Sequence, residues 1–189
     1  MRGVPLAEVD WERRYRDGFY ADTTGPHELL KRFWPAIPKG RVIDIAMGTG
    51  RDAAFLAGKE FGVYGIEKST EAIKIARGIL QNRASIICCD ANFLPFKRGS
   101  VEGVLVFHFL LRSIMGDIIN ILKKGGVIIY ETFLKRQNEI DRWRNPEYLL
   151  DDGELISCFR GFELILYEET VSVYGGKKRA TAKLVGRKR

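Results

Sequence analysis

Cysteine and histidine are scarce in this chain: Cys88, Cys89 and Cys158 are the only thiols and His27 and His108 the only imidazoles among 189 residues. An odd number of cysteines, two of them adjacent, gives no disulfide framework. Without a CxxC pair or spaced histidines the ligand patterns of a metal site are missing too, so no metal is expected. The thiols read as small buried hydrophobes. Long apolar runs are lacking: stretches such as Val104–Leu111 are far too short to span a bilayer, and MRGVPLAEVD has no signal-peptide core. A cytoplasmic protein with no membrane partner is the expectation. Internal repeats and low-complexity linkers are also missing, so the length fits one domain over residues 1–189 with a substantial core.

Acidic residues are absent from 175–189, and this absence explains the net charge of +7. That segment holds Lys177, Lys178, Arg179, Lys183, Arg187, Lys188 and Arg189. Removing these seven from the 31 basic residues leaves 24, equal to the 24 acids. The body is balanced and the excess sits at one end. Such an end can engage RNA phosphates, but without interleaved aromatics a solvated basic tail is the favoured reading, and a nucleic-acid partner is not favoured.

What is present is an alternation of strand and helix. Apolar or β-branched runs at Arg41–Ala46, Gly62–Glu67, Ala84–Cys89, Val101–Phe107 and Val127–Phe133 read as five strands. Asp52–Gly58 reads as a helix, and Ser69 caps another that runs to about Gln81. Ile114–Leu122 is expected as a helix ending at Gly125–Gly126, and Asp151–Arg160 as a further helix. Phe162–Glu168 and Ala180–Val185, joined around Gly175–Gly176, should pair as a hairpin. This order predicts an α/β fold whose sheet is mainly parallel with an antiparallel strand at its end, and ligands at the carboxyl ends of the strands.

Gly48-Thr49-Gly50-Arg51-Asp52-Ala53 fits the GxGxx(G/A) dinucleotide turn, which alone says only that backbone approaches a ligand. The surrounding charge is more telling. Asp44 lies inside the first strand, Asp52 opens the next helix, Glu67 ends strand two and Asp90 ends strand three, so all four should converge on one end of the sheet. A pyrophosphate would be repelled there. S-adenosylmethionine has no phosphate; its sulfonium and ammonium suit carboxylates, and its ribose hydroxyls suit Glu67. The expected cofactor is therefore S-adenosyl-L-methionine.

These segments resemble the class I S-adenosylmethionine-dependent methyltransferases: VIDIAMGTG their first motif, VYGIEKS the second, CCDANFLPF the third, VEGVLVFHFLL the fourth, and LKKGGVIIYETF the strand after it. WERRYR with Trp11 and Tyr15, and ETFLKRQ with NPEYLLDDGEL, resemble the group of tellurite-resistance methyltransferases typified by TehB. The resemblance implies a Rossmann-like fold with a seven-stranded sheet, an antiparallel last strand and helices on both faces. It also implies an N-terminal helical cap over 1–38 and a core over 39–189. Carried over by position, Asp44, Ala46, Gly48, Gly50 and Asp52 would hold the methionine part, with Tyr15 from the cap beside them. Glu67 and Lys68 would serve the ribose, Asp90 and Ala91 the adenine edge, and Phe107 would line the pocket beside His108. Ala46 and Met47 depart from the glycine and small residue usual in the first motif.

Methyl transfer needs an aligned acceptor, excluded water and, for some acceptors, a base. The catalytic candidates beyond strands four and five are His108 as a base, Arg112 as a holder of an anionic acceptor, and Glu131 in the pocket wall. Each has a plain alternative: a packed histidine, an arginine paired with an acid, a strand-end carboxylate. Trp143 with Arg142 and Arg144 reads as a lid or, more simply, a solvated loop. The leading expectation is methyl transfer to a small molecule by in-line displacement. The alternatives are an RNA or protein methyltransferase recruiting through the basic end, and a donor-binding module without catalysis.

Overall fold

The computed structural model describes residues 10–20, 25–141, 144–174 and 176–189. Two short helices, α1 (Trp11–Arg16) and α2 (Glu28–Phe33), precede the sheet. The core then alternates β1 (Arg41–Ile45), α3 (Arg51–Ala57), β2 (Gly62–Glu67), α4 (Thr70–Leu80), β3 (Ser85–Cys88), β4 (Val101–Phe107), α5 (Met115–Ile121) and β5 (Leu122–Phe133). α6 (Glu154–Cys158) leads into the hairpin of β6 (Phe162–Tyr174) and β7 (Lys177–Lys188).

The seven strands lie in the order β3-β2-β1-β4-β5-β7-β6. β1 to β5 are parallel, and β7 runs antiparallel to both β5 and β6. The last strand is therefore interior, and β6 takes the edge. Two apolar layers fill the faces. Ile43, Ile45, Val104, Val106, Ile128 and Tyr130 join α5 on one; Val42, Leu105, Phe107, Ile129 and Val185 join α2 to α4 on the other. Each fully buried aliphatic side chain contributes about 1.5–3 kcal/mol. α4 begins where the Ser69 hydroxyl accepts from the Ala72 N–H at 3.1 Å, and its apolar stripe Ala72, Ile73, Ala76 and Leu80 is buried. Among the described residues, no helix is long and apolar enough to cross a membrane.

Four expectations change. Gly125 and Gly126 do not end a helix: α5 stops at Ile121 and the glycines lie within β5, where the ladder to β4 shifts register between Val101 and Gly103. β6 and β7 are much longer than their apolar cores, because the hairpin arms pair with each other out to Tyr174 and Lys177. The basic end is no solvated tail. Lys188 Nζ donates to the carbonyls of Ile119 and Leu122 at 2.6 and 2.7 Å, and Lys183 stands between Glu131 and Glu168. Finally, Cys88 is exposed and Cys89 and Cys158 are half-buried, since β3 is a sheet edge and α6 an outer helix.

Candidate functional site

β1 delivers the chain into a left-handed turn: Ala46, Gly48 and Gly50 have φ of 55°, 56° and 78°. The three positions need this conformation for different reasons. At Gly48 a Cβ would come within 2.7 Å of the Tyr15 hydroxyl, so α1 lies directly on the turn. At Gly50 it would press on Leu80 and Ala76, so this glycine lets α3 approach α4. Ala46 adopts the backbone a glycine would take, at a local cost of about 1–2 kcal/mol. Met47 turns inward, buried against Gly65 of β2, where a Cβ would overlap its sulfur. The Ala46–Met47 departure thus leaves the turn intact.

Three of the four acids gather under this turn. Glu67 is buried and accepts from the N–H groups of Gly48, Lys68 and Ser69 at 2.9, 2.9 and 2.8 Å, which ties the end of β2 to the glycine turn. Asp44 is buried; the Ala53 N–H lies near its carboxyl, and Oδ2 has no partner. Burial and the neighbouring Asp52 and Glu67 raise its proton affinity well above the usual carboxylate range. An orphaned, buried carboxylate oxygen beside further acids suits a cationic ligand, so the residues present fit the ammonium and sulfonium of S-adenosylmethionine. Asp90 stands apart: it is exposed, accepts from the Asn92 backbone and side chain, and lies 4.0 Å from Lys68 Nζ. Those bonds hold its carboxyl below the usual range. Ala91 beside it is buried.

Asp52, close enough to Asp44 to raise its proton affinity, is engaged by His27. It accepts from the His27 N–H at 2.8 Å and from His27 Nδ1 at 2.7 Å, pinning the residue before α2 to the start of α3. With Nδ1–H donated to Asp52, Nε2 accepts from Arg51 Nη2 at 2.5 Å. The His27 ring stacks on Phe107 at 4.0 Å, nearly parallel, and meets the His108 ring edge-on at 4.9 Å. One face of Phe107 is therefore covered by His27. Sequence reading gave His27 no role, because its partners lie 24 and 25 residues away. The one available signal was scarcity: both histidines of the chain meet here.

His108 follows β4 in a left-handed conformation, φ 54°, held by its N–H donating to the Glu131 carbonyl at 2.8 Å. Its ring stacks on Phe133 at 4.8 Å, and its Nε2 is enclosed without a partner. Burial and neighbouring basic groups push its pKa well below the ordinary imidazole value, so it is neutral at physiological pH. Glu131 pairs with Phe107 across the ladder and accepts from the Thr181 hydroxyl at 3.4 Å. Tyr15, against Gly48, lies near Glu67; burial and Glu67 keep its phenol protonated.

Arg112 is a different matter. Its guanidinium forks onto Glu154 at 2.6 and 2.8 Å and donates to the carbonyls of Glu147 and Leu149. These bonds fasten the loop after β5 to the chain just before α5; of the two readings of Arg112, they are the pairing with an acid, here Glu154. Arg142 and Trp143 of the expected lid lie outside the described residues.

A parallel sheet of this order with a closing antiparallel hairpin, carrying a glycine turn and buried acids that suit a sulfonium donor, defines the Rossmann-like methyltransferase class. Residues 42–126 match the family described as a methyltransferase domain. An uncharacterized protein of Methanocaldococcus jannaschii is 31% identical over 163 residues, covering 76% of this chain and 73% of that protein. The demethylmenaquinone methyltransferase of Clavibacter sepedonicus is 30% identical over 97 residues, 47% of this chain and 39% of that enzyme. The crystal structure of TehB from Haemophilus influenzae superposes with a TM-score of 0.75 at 16% identity, covering 94% of this chain and 67% of that one. Residues 42–126 are thus a methyltransferase domain by sequence, and the whole chain carries the fold of S-adenosylmethionine-dependent methyltransferases.

Proposed function

We propose that this methyltransferase acts on a small-molecule acceptor seated between the donor and the wall formed by His108, Phe133 and Glu131. The observation that carries the reading is the enclosed Nε2 of His108, a neutral imidazole nitrogen left without a partner at the carboxyl end of β4. A buried polar atom without a partner is costly, and a ligand that bonds to it recovers that cost.

When bound, the donor supplies a methyl group already activated on a sulfonium. Asp44 would answer its cationic groups, Glu67 would accept from ribose hydroxyls, and Asp90 and Ala91 would meet the adenine. The glycine turn would give close backbone contact, with Tyr15 closing over it. His108, neutral, can take a proton from the acceptor at Nε2 or donate one to it. Phe133 and Phe107 exclude water from that side.

The RNA or protein alternative loses its main support, because the basic end is built into β7 rather than offered as a tail. A donor-binding module without catalysis is weakened too, since Ala46 preserves the left-handed turn. Calorimetry with S-adenosylhomocysteine tests the donor half: micromolar or tighter binding is expected, and binding of NAD in its place would overturn it. Product formation from a small-acceptor library, lost in His108→Phe with donor affinity unchanged, tests the acceptor half.

A further inference from the structure

We propose that the outer arm of β6, Thr170–Tyr174, is a self-association edge that pairs antiparallel with the same segment of a second copy, Ser172 opposite Ser172 and Val171 opposite Val173.

The rest of the sheet's open edge is blunted. β3, at one side, is only 4 residues long. The first part of β6, at the other, carries Glu163, Glu168 and Glu169, and its ladder to β7 is bulged between Leu164 and Leu166. Shortness, charge and a bulge each protect an exposed edge from pairing. Thr170–Tyr174 has none of these: it holds no charge and no proline, and it pairs in unbroken register with Lys177–Thr181.

This arm also lacks a third strand. β5 ends at Phe133, paired with Thr181, so beyond that point β7 has only β6 beside it as a strand. The fold covers the β7 side. Buried Gln137 accepts from the Ala180 N–H at 2.6 Å and donates to the Lys178 carbonyl at 3.4 Å, and the Leu134 N–H donates to the Ala180 carbonyl at 3.0 Å. Among the described residues, no strand pairs with the β6 side. A two-stranded ribbon is marginal by itself, and a second copy would make it four-stranded.

The side chains favour a second copy over a foreign strand. Val171 and Val173 lie on one face and are 52% and 68% exposed; Val171 stands opposite buried Ala180, at the margin of the core. Turned about Ser172 the segment is its own complement. Each Val171 meets the other copy's Val173, so the exposed valines cover one another, as a two-fold interface requires. Charge sets the direction. Lys177 and Lys178 are exposed at the hairpin tip, and parallel pairing would put the two tips side by side. Antiparallel pairing parts them and lays each tip along the Glu168–Glu169 end of the other strand. Those acids have partners in their own chain, Lys183 across the ladder for Glu168 and Arg136 for Glu169, so the direction rests on keeping the lysines apart.

Sedimentation velocity of the full chain, from micromolar to millimolar concentration, tests this. A reversible monomer–dimer equilibrium is expected, weak because the contact is short. Val173→Lys should weaken it at least roughly tenfold, while Leu164→Lys, at the bulged end of the same strand, should match the wild type. Melting curves by circular dichroism show whether each variant is folded. Ser172→Cys, oxidised where the wild type is dimeric, should cross-link through the two introduced thiols, located by mass spectrometry to tell them from links through Cys88. Glu163→Cys should not cross-link at its own position. If Val173→Lys fails to fold, the Ser172→Cys cross-link decides alone. A wild type still monomeric at millimolar concentration overturns the proposal, whether or not a foreign strand binds it. So does a dimer unchanged by Val173→Lys, or a Ser172→Cys protein that links only through its native thiols.

Discussion

At the scale of single residues, the donor-binding role proposed for Asp44 is set against stability. Its carboxyl is buried with one oxygen unpartnered, and its proton affinity is raised. A raised carboxyl favours the fold below its unfolded pKa and costs stability as pH climbs through the folded value. Asp44→Asn keeps a side chain of the same shape and removes that cost. The variant should melt higher than wild type at neutral pH, by about 2–4 °C for each kcal/mol relieved, and bind S-adenosylhomocysteine at least roughly tenfold more weakly. Thermal unfolding and calorimetry on the same sample check both halves. His108 has the opposite titration. Its pKa is depressed, so the unfolded chain takes up a proton near pH 6.5 that the folded chain refuses. Stability should therefore fall as pH drops below about 6.5, down to the folded pKa. His108→Phe should flatten the slope of unfolding free energy against pH in that window.

At the scale of elements, the turn after β1 and the helix laid across it make separate predictions. Ala46 holds a left-handed conformation that glycine adopts freely, so Ala46→Gly should stabilise the protein by about 0.5–1 kcal/mol, measured by denaturant unfolding. α1 is fastened by Glu12, whose carboxylate accepts from the N–H groups of Thr70 and Glu71 at 2.7 and 3.0 Å, at the start of α4. These bonds hold its pKa below the usual value. Its contribution is present above the ordinary glutamate range and lost as pH falls through the folded value. Glu12→Ala should speed amide hydrogen exchange in α1 and leave that of β1 and β4 unchanged.

Much of this was legible in the sequence because it is local. Ser69 announces its cap three residues before the N–H it accepts from, and the apolar runs mark the five parallel strands. The glycine turn and Glu67 were legible for the same reason: each ends a strand. What escaped depends on partners far along the chain. His27 acquires its role only when Asp52, Arg51 and Phe107 surround it, and Arg112 is claimed by Glu154, 42 residues on. The outer arms of β6 and β7 are polar, so no periodicity reveals that they pair with each other.

At the scale of the whole molecule, the basic end is a structural strand. Lys188 donates to the carbonyls of Ile119 and Leu122, and Arg187 reaches the carbonyls of Ala36 and Gly125. Removing residues 177–189 should therefore abolish cooperative unfolding by circular dichroism, with S-adenosylhomocysteine binding lost as a consequence. A folded, donor-binding truncation would show that β7 is dispensable.

The place of β7 also constrains how the chain is made. β6 leaves the ribosome first yet belongs outside β7, so a half-synthesised molecule holds β5 and β6 with a missing strand between them. Folding from the N-terminus can assemble β1 to β5 as they emerge, but β5 waits with an unpaired edge until the hairpin returns. In that interval the row of free N–H and C=O groups on β5 is a template for any extended chain nearby. Faster synthesis through the β6–β7 turn would shorten the exposure, and a pause there should raise the fraction lost to aggregation.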